Sequence, residues 1–508
     1  MNSTPSLCDL AGNLVPFEAE RVPATLIWSG VEDEVIPHLL DECAYLVPEP
    51  ASPGAPSLKT FYAERYGGSR IGHNGGGARC GFDGRYQVKG IGANPLVGEG
   101  TDRHHRNGAL ATDHAVYEAI WSRVLGQLLP FGAVRAQAVL LTDRYIELDF
   151  ERHQRRARRA LLVRDPSVRP AHFERAPYFR PHPDHAPGLA HDADRVRQAV
   201  QSLPHALGAR DDSAQACIDA FAELACRLAH QMAFCRTRWL IVTTSPSNVT
   251  TDGRLLDFNG LYLLSPGDHR VDFDYHVKLR QLMAEPGVLL EGLTNLCVHL
   301  GKYRYGQAFV QPAQHAIIQR FESAFEAGCI RGYIQWLGLP VDALADPLPE
   351  PWQRLGGHIR ELSGHYLRLA SRPGPENHPP CLDTLLLAVV NGCQPDKQPF
   401  ASDPRLLACW RGAAAAFADS RALWQACGHG GPGARDLIQV AAEHIHSARL
   451  HRPLLAKQAQ LDQINTLLAA HAHSPDVLRK LLKDLENATA SAAQSVFGTP
   501  FATTARTP

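Results

Sequence analysis

The sequence predicts an α+β fold, with strands concentrated in its first half and a large helical extension behind them. Three observations carry this expectation. Short strand-like runs, among them Tyr86-Gln87-Val88, Ala136–Thr142 and Ala160–Val163, fall within the first 260 residues. Helical periodicity marks 108–129 and about 213–234, and from 276 onward the chain reads as helices. A length of 508 residues exceeds what one small core accommodates, so two or more structural units are expected.

Composition narrows the class. With 44% hydrophobic and 20% charged residues the chain is an ordinary globular one, which sets aside disordered and fibrous classes. A formal net charge of -1 argues against nucleic acid or an anionic membrane as the main partner. The start, Met1 to Phe17, lacks a basic and then apolar leader, and no run approaches the roughly 20 apolar residues of a membrane helix. A cytoplasmic protein without a membrane span is therefore expected. The 12 cysteines include no Cys-x-x-Cys pair, which speaks against a zinc ribbon or redox motif and for free thiols. His182, His185 and His191 fit no usual zinc spacing, and Cys226, His230 and Cys235 read as filler on a helix.

Element by element, residues 1–58 form an N-terminal segment of a few elements packing on the core, closing in a Pro-rich joint at Pro48-Glu49-Pro50 and Pro53. A glycine-rich stretch occupies 66–100. The helix over 108–129 turns Ala109, Val116, Ile120, Val124 and Leu128 to one side. A long helix is expected from about Ser213 to Phe234, with Asp212 or Ser213 as N-cap and Ile218, Phe221, Leu224, Leu228 and Met232 as its apolar stripe. Two apolar runs, Trp239–Val242 and Arg254–Phe258, flank the turn-rich 243–253 and suggest a hairpin-like pair. Prolines at 373, 375, 379, 380, 395, 399 and 404 predict a linker over 371–404 between helical regions 281–370 and 405–508, and the last dozen residues read as disordered. The basic run Arg152–Arg159, lying between two strand candidates, reads as a solvated hinge or helix face, or as a dock for an acidic peptide or phosphates.

A nucleotide-transfer site needs glycine where backbone amides approach phosphate, a cation against phosphate charge, and oxygen ligands for Mg2+. The chain offers all three in order. The glycine-rich piece Arg65–Arg79 contains Gly67-Gly68, Gly72 and Gly75-Gly76-Gly77, but no Walker A pattern. Lys89 ends a strand-like run and precedes Gly90-x-Gly92; Glu118 sits mid-helix 29 residues later. In kinases a strand lysine holds phosphates and a helix glutamate orients it. Asn248 and Asp257, nine residues apart across a turn, can meet on one metal ion, although both are also ordinary turn formers.

These residues lie in segments that resemble the SelO family of protein adenylyltransferases. Tyr86-Gln87-Val88-Lys89-Gly90-Ile91-Gly92-Ala93-Asn94-Pro95 is similar to that family's LQLKGxGxTPYSR, and 107–118 aligns without a gap with its DGRAVLRSSIRE. Phe131–Ala136 resembles GIPTTRA; Leu161–Arg169 with Phe173-Glu174 resembles TRVAPSHIRxGxFE; Ser245-Pro246-Ser247-Asn248 and Leu256-Asp257-Phe258 resemble NTDN and IDYGPF at the same spacing. The resemblance covers about 66–260. It implies a two-lobed protein-kinase-like core, with one lobe over 59–145 and a second, metal-binding lobe over 146–280. It further implies ATP and Mg2+ (or Mn2+) as cofactors. Gly76, Arg79, Lys89, Asn107, Gly108, Arg164, Arg169 and Asp257 would contact the nucleotide, Glu118 would orient Lys89, and Asn248 and Asp257 would hold the metal. In that family ATP is bound in a flipped orientation, so AMP is transferred, and Arg79, Arg164 and Arg169 suit the departing phosphates.

One departure is chemically telling. The family's catalytic aspartate is replaced by Ser247, which cannot take up a proton unaided. Either the chain binds nucleotide without turnover, as a scaffold for a second modification enzyme, or its acceptor needs no base. A carboxylate, ionised at pH 7, is such an acceptor. The expected reaction is therefore AMP transfer, or less directly phosphoryl transfer, to a protein or peptide. Length and the divergent core also resemble the MchC-type proteins of microcin maturation, which implies tailoring of a ribosomal peptide.

Overall fold

A computed structural model of the chain describes residues 6–48, 57–68, 71–102, 106–150, 153–242, 244–264, 273–370, 382–393, 403–429, 435–471 and 473–498. The architecture is α+β. Eight strands form one antiparallel sheet: β1 (Leu14–Arg21), β2 (Ala24–Ser29), β3 (Tyr45–Leu46), β4 (Leu58–Glu64), β5 (Cys80–Phe82), β6 (Gln87–Lys89), β7 (Ala136–Phe150) and β8 (His153–Arg164). Their spatial order is β2-β7-β8-β6-β5-β4-β1-β3. A two-stranded ribbon joins β9 (Leu240–Ile241) to β10 (Tyr262–Leu263).

Twelve helices of eight or more residues are described: α1 (Ile36–Cys43), α2 (Thr112–Leu128), α3 (Asp192–Ala199), α4 (Ala214–Thr237), α5 (Phe273–Leu300), α6 (Val310–Trp336), α7 (Glu350–Ala370), α8 (Leu382–Asn391), α9 (Pro404–Trp424), α10 (Leu437–His451), α11 (Lys457–Ala470) and α12 (Pro475–Phe497). Ser213 caps α4, its side chain accepting from the Ala216 amide, as its position before the apolar stripe predicts. No helix among the described residues is long and apolar enough to cross a membrane.

Side chains alternate across a strand, and this alternation divides the sheet into two faces. Val88, Leu140, Leu161 and Val163 pack with Leu39 and Cys43 of α1 on one face. Val139, Leu141 and Leu162 pack with Val116, Ile120 and Val124 of α2 on the other. Helix α2 is buried nearly all round, far beyond one stripe, because α11 and α12 cover the side turned away from the sheet. The same apolar core runs on through Phe221 and Leu228 of α4 to Leu482 and Phe497 of α12. A second core, built on Trp239, Trp336, Trp352, Tyr366 and Trp410, holds the helices α6 to α10 together.

Several expectations need correction. Strands β1 to β3 of the first 58 residues belong to the main sheet. The lobe boundary expected at 145/146 falls inside β7. The run Trp239–Val242 does not pair with 254–258; β9 pairs with β10, and 254–258 contributes two isolated bridges through Leu255, to Val249 and to Ala133. Ala109 precedes α2 instead of joining its stripe. The basic run is part of strand β8 from residue 153, not a hinge: Arg156 lies over the Tyr145 ring at 4.2 Å, Arg158 donates to the Thr142 carbonyl, and Arg159 is buried. Arg152, the Pro-rich joint from residue 49, most of the 371–404 linker and the final ten residues lie outside the described residues.

Candidate functional site

The register of the sheet builds the floor of the site. Strand β6 pairs with β8 so that Gln87 faces Arg164 and Lys89 faces Leu162. Val88 points into the α1 side, so Gln87 and Lys89 both point to the α2 side. There Glu118, from the middle of α2, meets Lys89 with a Nζ–Oε2 distance of 2.6 Å. The Lys89 and Glu118 side chains are only 1% and 3% exposed, so the pair lies in a poorly solvated setting where an unmatched charge is costly. Lys89 Nζ also donates to Asp257 Oδ1 at 2.6 Å, and Arg164 Nη1 reaches Glu118 Oε1 at 3.3 Å. The Asn259 side-chain amide closes the ring on Glu118.

The glycine-rich segment forms the roof. Gly76 has φ +141° and bridges to Arg65, and a Cβ placed there would meet the Glu64 carbonyl at 2.1 Å, so only glycine fits. The chain turns back on β4 through this close approach. Arg79 follows, and its side chain makes no hydrogen bond or ion pair among the described residues.

Across from it, Asn248 and Asp257 flank the Val249–Leu255 bridge, and the Leu256 amide donates to the Asn248 carbonyl at 3.1 Å. Asp257 adopts φ 65°, a left-handed conformation uncommon outside glycine. Burial opposes its charge, yet Lys89, Arg79 and Arg164 together hold its carboxyl far below the usual carboxylate range. Ser247 precedes Asn248; its hydroxyl meets those of Ser245 (2.8 Å) and the Asn248 amide oxygen (3.5 Å), and no carboxylate or histidine among the described residues.

These groups surround a cavity of ≈ 200 Å³ lined by Gly76, Arg79, Lys89, Arg164, Ser247, Asn248 and Asp257 among others. It is smaller than the usual ~300–1,000 Å³ ligand pocket. Among the described residues, counting Arg169 and Glu64 just behind it, four cations stand against three carboxylates, which favours an anion. Among the described residues no group of three or more His, Cys, Asp or Glu could hold a metal alone. Asn248 and Asp257 instead present the one carboxylate and one amide oxygen with which Mg2+, completing its shell from phosphates and water, is commonly held.

Three of the residues expected to contact the nucleotide lie outside the cavity lining. Arg169 does not line the cavity. It donates to the Ser247 carbonyl at 3.0 Å and to Gln87 Oε1 at 3.4 Å, packs over the Tyr66 ring, and so positions the wall. Asn107 and Gly108 do not line it either. The Asn107 side chain caps the Ala109 amide, and the Gly108 carbonyl accepts from Gly92 at 3.3 Å, backing the turn after Lys89.

Sequence reasoning missed a supporting network. Glu64, at the end of β4, accepts from Gln87, and His172 Nε2 lies 3.3 Å from its other oxygen. His172 Nδ1 accepts from the Arg169 amide, so its proton sits on Nε2 and burial keeps the ring neutral. Burial would raise the Glu64 pKa; the His172 hydrogen bond and the Arg169 charge outweigh it and lower the value to about 2. Asn259 was missed as well, although it stands only two residues past Asp257. No protein-family model matches the chain, and neither does any curated protein.

Proposed function

We propose that this chain is an ATP- and Mg2+-dependent nucleotidyltransferase with a kinase-like, SelO-like catalytic core, which transfers AMP to a protein or peptide acceptor. One observation carries the reading: a buried lysine 2.6 Å from both a helix glutamate and the Asp257 carboxylate, on a cavity roofed by glycine backbone and rimmed by Arg79. A purely structural ion pair does not need a glycine-lined void beside it.

In this reading Lys89 binds phosphate oxygens and Glu118 keeps its ammonium group in place. Arg79 and Arg164 hold the phosphates that leave, where fixed cations in a shielded site stabilise developing charge without reorganising. Asn248 and Asp257 would hold Mg2+, which supplies charge neutralisation when bound. Arg169 and Glu64 keep the wall bearing Ser247 against β6. Cytoplasmic ATP and Mg2+ suit this chemistry.

The second reading is a nucleotide-binding scaffold without turnover, favoured by Ser247 where a proton acceptor would be needed. Incubation with α-labelled or γ-labelled ATP separates the cases, with Asp257→Ala as control. Label passing to an acceptor only from the α position is the expected result. Transfer only from γ makes the chain a phosphoryl transferase, and transfer from neither, with ATP still bound, leaves the scaffold.

A further inference from the structure

A second recess, ≈ 810 Å³, lies beside the first, between residues 244–248 and one face of α5. Ser247 and Asn248 line both, so the two meet at the wall that carries the metal-ligand candidate. The far side of the recess bears Arg280, which is exposed and makes no ion pair among the described residues. Val277 and Val288 add apolar surface on either side of it. The only carboxylate among the described residues lining the recess is already committed: Glu285 is 4% exposed and accepts from the Val242 and Thr244 amides at 3.3 Å each.

Among the described side chains no histidine lines either recess, and Asp257 is pinned by Lys89. A hydroxyl acceptor entering here meets no group among the described side chains that is able to take its proton. A carboxylate acceptor needs none, and an unpaired guanidinium is the natural fork for one.

Resting on the nucleotidyl-transfer reading above, we propose that this recess is the acceptor site, that it takes the free carboxylate of a peptide, and that Arg280 binds that group. One carboxylate oxygen forms a bond to the α-phosphorus of ATP. The bond from that phosphorus to the bridging oxygen breaks, and its electron pair leaves with pyrophosphate. The product is an acyl-adenylate, and no proton moves, so a serine at 247 is no obstacle.

The test uses the full chain and two acetyl-capped tripeptide libraries, one with free C-terminal acids and one with C-terminal amides. ATP affinity is measured first by calorimetry. Peptide binding is then read by saturation-transfer NMR, and acyl-adenylate formation by ATP–pyrophosphate exchange. Free acids are expected to bind and to stimulate exchange, amides to do neither. Arg280→Glu is expected to weaken both responses about tenfold or more while leaving ATP affinity unchanged, and Arg280→Lys to recover part of them. Equal responses to acids and amides, full responses in Arg280→Glu, or intact ATP binding with no response to acids each overturn the proposal alone. Arg280→Glu that instead weakens ATP binding assigns the recess to the nucleotide and overturns it too. Failure of the native chain to bind ATP overturns the parent reading along with it.

Discussion

Lys89 and Trp352 are equally withdrawn from water, each 0% exposed, but their neighbourhoods differ in kind. Lys89 is surrounded by Glu118, Asp257, Arg164 and Asn259, drawn from separate parts of the chain and joined by hydrogen bonds. Trp352 is surrounded by hydrocarbon and by Trp424 edge-on at 6.2 Å, and its indole nitrogen has no partner among the described residues. Desolvating a charged network adds little net stability, whereas apolar burial contributes steadily. On the proposed function the first region is shaped by what it must bind, the second by what it must hold up.

The largest expected effects test that contrast directly. Trp352→Ala should cost about 3–5 kcal/mol of unfolding free energy by urea titration. Its folded fraction should bind ATP as before. Lys89→Met should cost a comparable ~3 kcal/mol, because Glu118 and Asp257 lose their shared cation. Unlike Trp352→Ala, it should also weaken ATP binding about tenfold or more. If Lys89→Met loses stability yet keeps ATP affinity, the network is architectural and the contrast collapses.

A smaller effect separates two carboxyls within the cleft region itself. Glu174 has one carboxyl oxygen without a partner among the described residues, and burial, with the nearby Glu291 charge, pushes its pKa up to about 8. Folding therefore favours its protonated form, and its contribution to stability falls as pH rises from an unfolded value of about 4.3 through about 8. Glu174→Gln should be more stable than the native chain by about 2 kcal/mol at pH 8.5 and no more stable at pH 4. Glu64 has the opposite sign: its lowered pKa of about 2 gives stability above the unfolded value that is lost as pH falls through about 2. Unfolding curves for Glu64→Gln should lose that acid dependence; an unchanged slope would mean that His172 and Arg169 do not favour its ionised form.

Much of this contrast could be read in the chain, and the rest could not, for identifiable reasons. Lys89 on a strand and Glu118 on a helix are local facts, and their order anticipated a contact that the β6–β8 register brings about. Ser213 before an apolar stripe is equally local. The basic run misled because contiguous charge reads as solvent exposure, yet in a strand every other residue turns inward, and Arg159 is buried. The partner of β9 was hidden because Leu255-Leu256 is as apolar as Tyr262–Leu263, and two-residue pairing leaves no pattern to detect. Least legible is the docking of the tail: Trp28 donates to Glu486, 458 residues away, and no local signal anticipates it.

That docking also produces the smallest predicted effect, where α11 meets the Lys89 network. Lys457 of α11 donates to the Asn259 carbonyl and lies 5.6 Å from the Tyr117 ring centre, while the Asn259 amide holds Glu118. Burial, with Lys278 nearby, lowers the Lys457 pKa, so this contact is kept at some electrostatic cost. Lys457→Met preserves the apolar stem but frees the Asn259 carbonyl. It should change stability by no more than about 1 kcal/mol, since one hydrogen bond is lost while packing remains. ATP affinity should hold, and turnover should fall a few-fold as Glu118 loses a fixed neighbour. A variant that loses stability with its rate untouched would mean that the helical half supports the cleft only as a scaffold. A slower rate at unchanged stability would mean that the tail helps to set the geometry of the Lys89 pair.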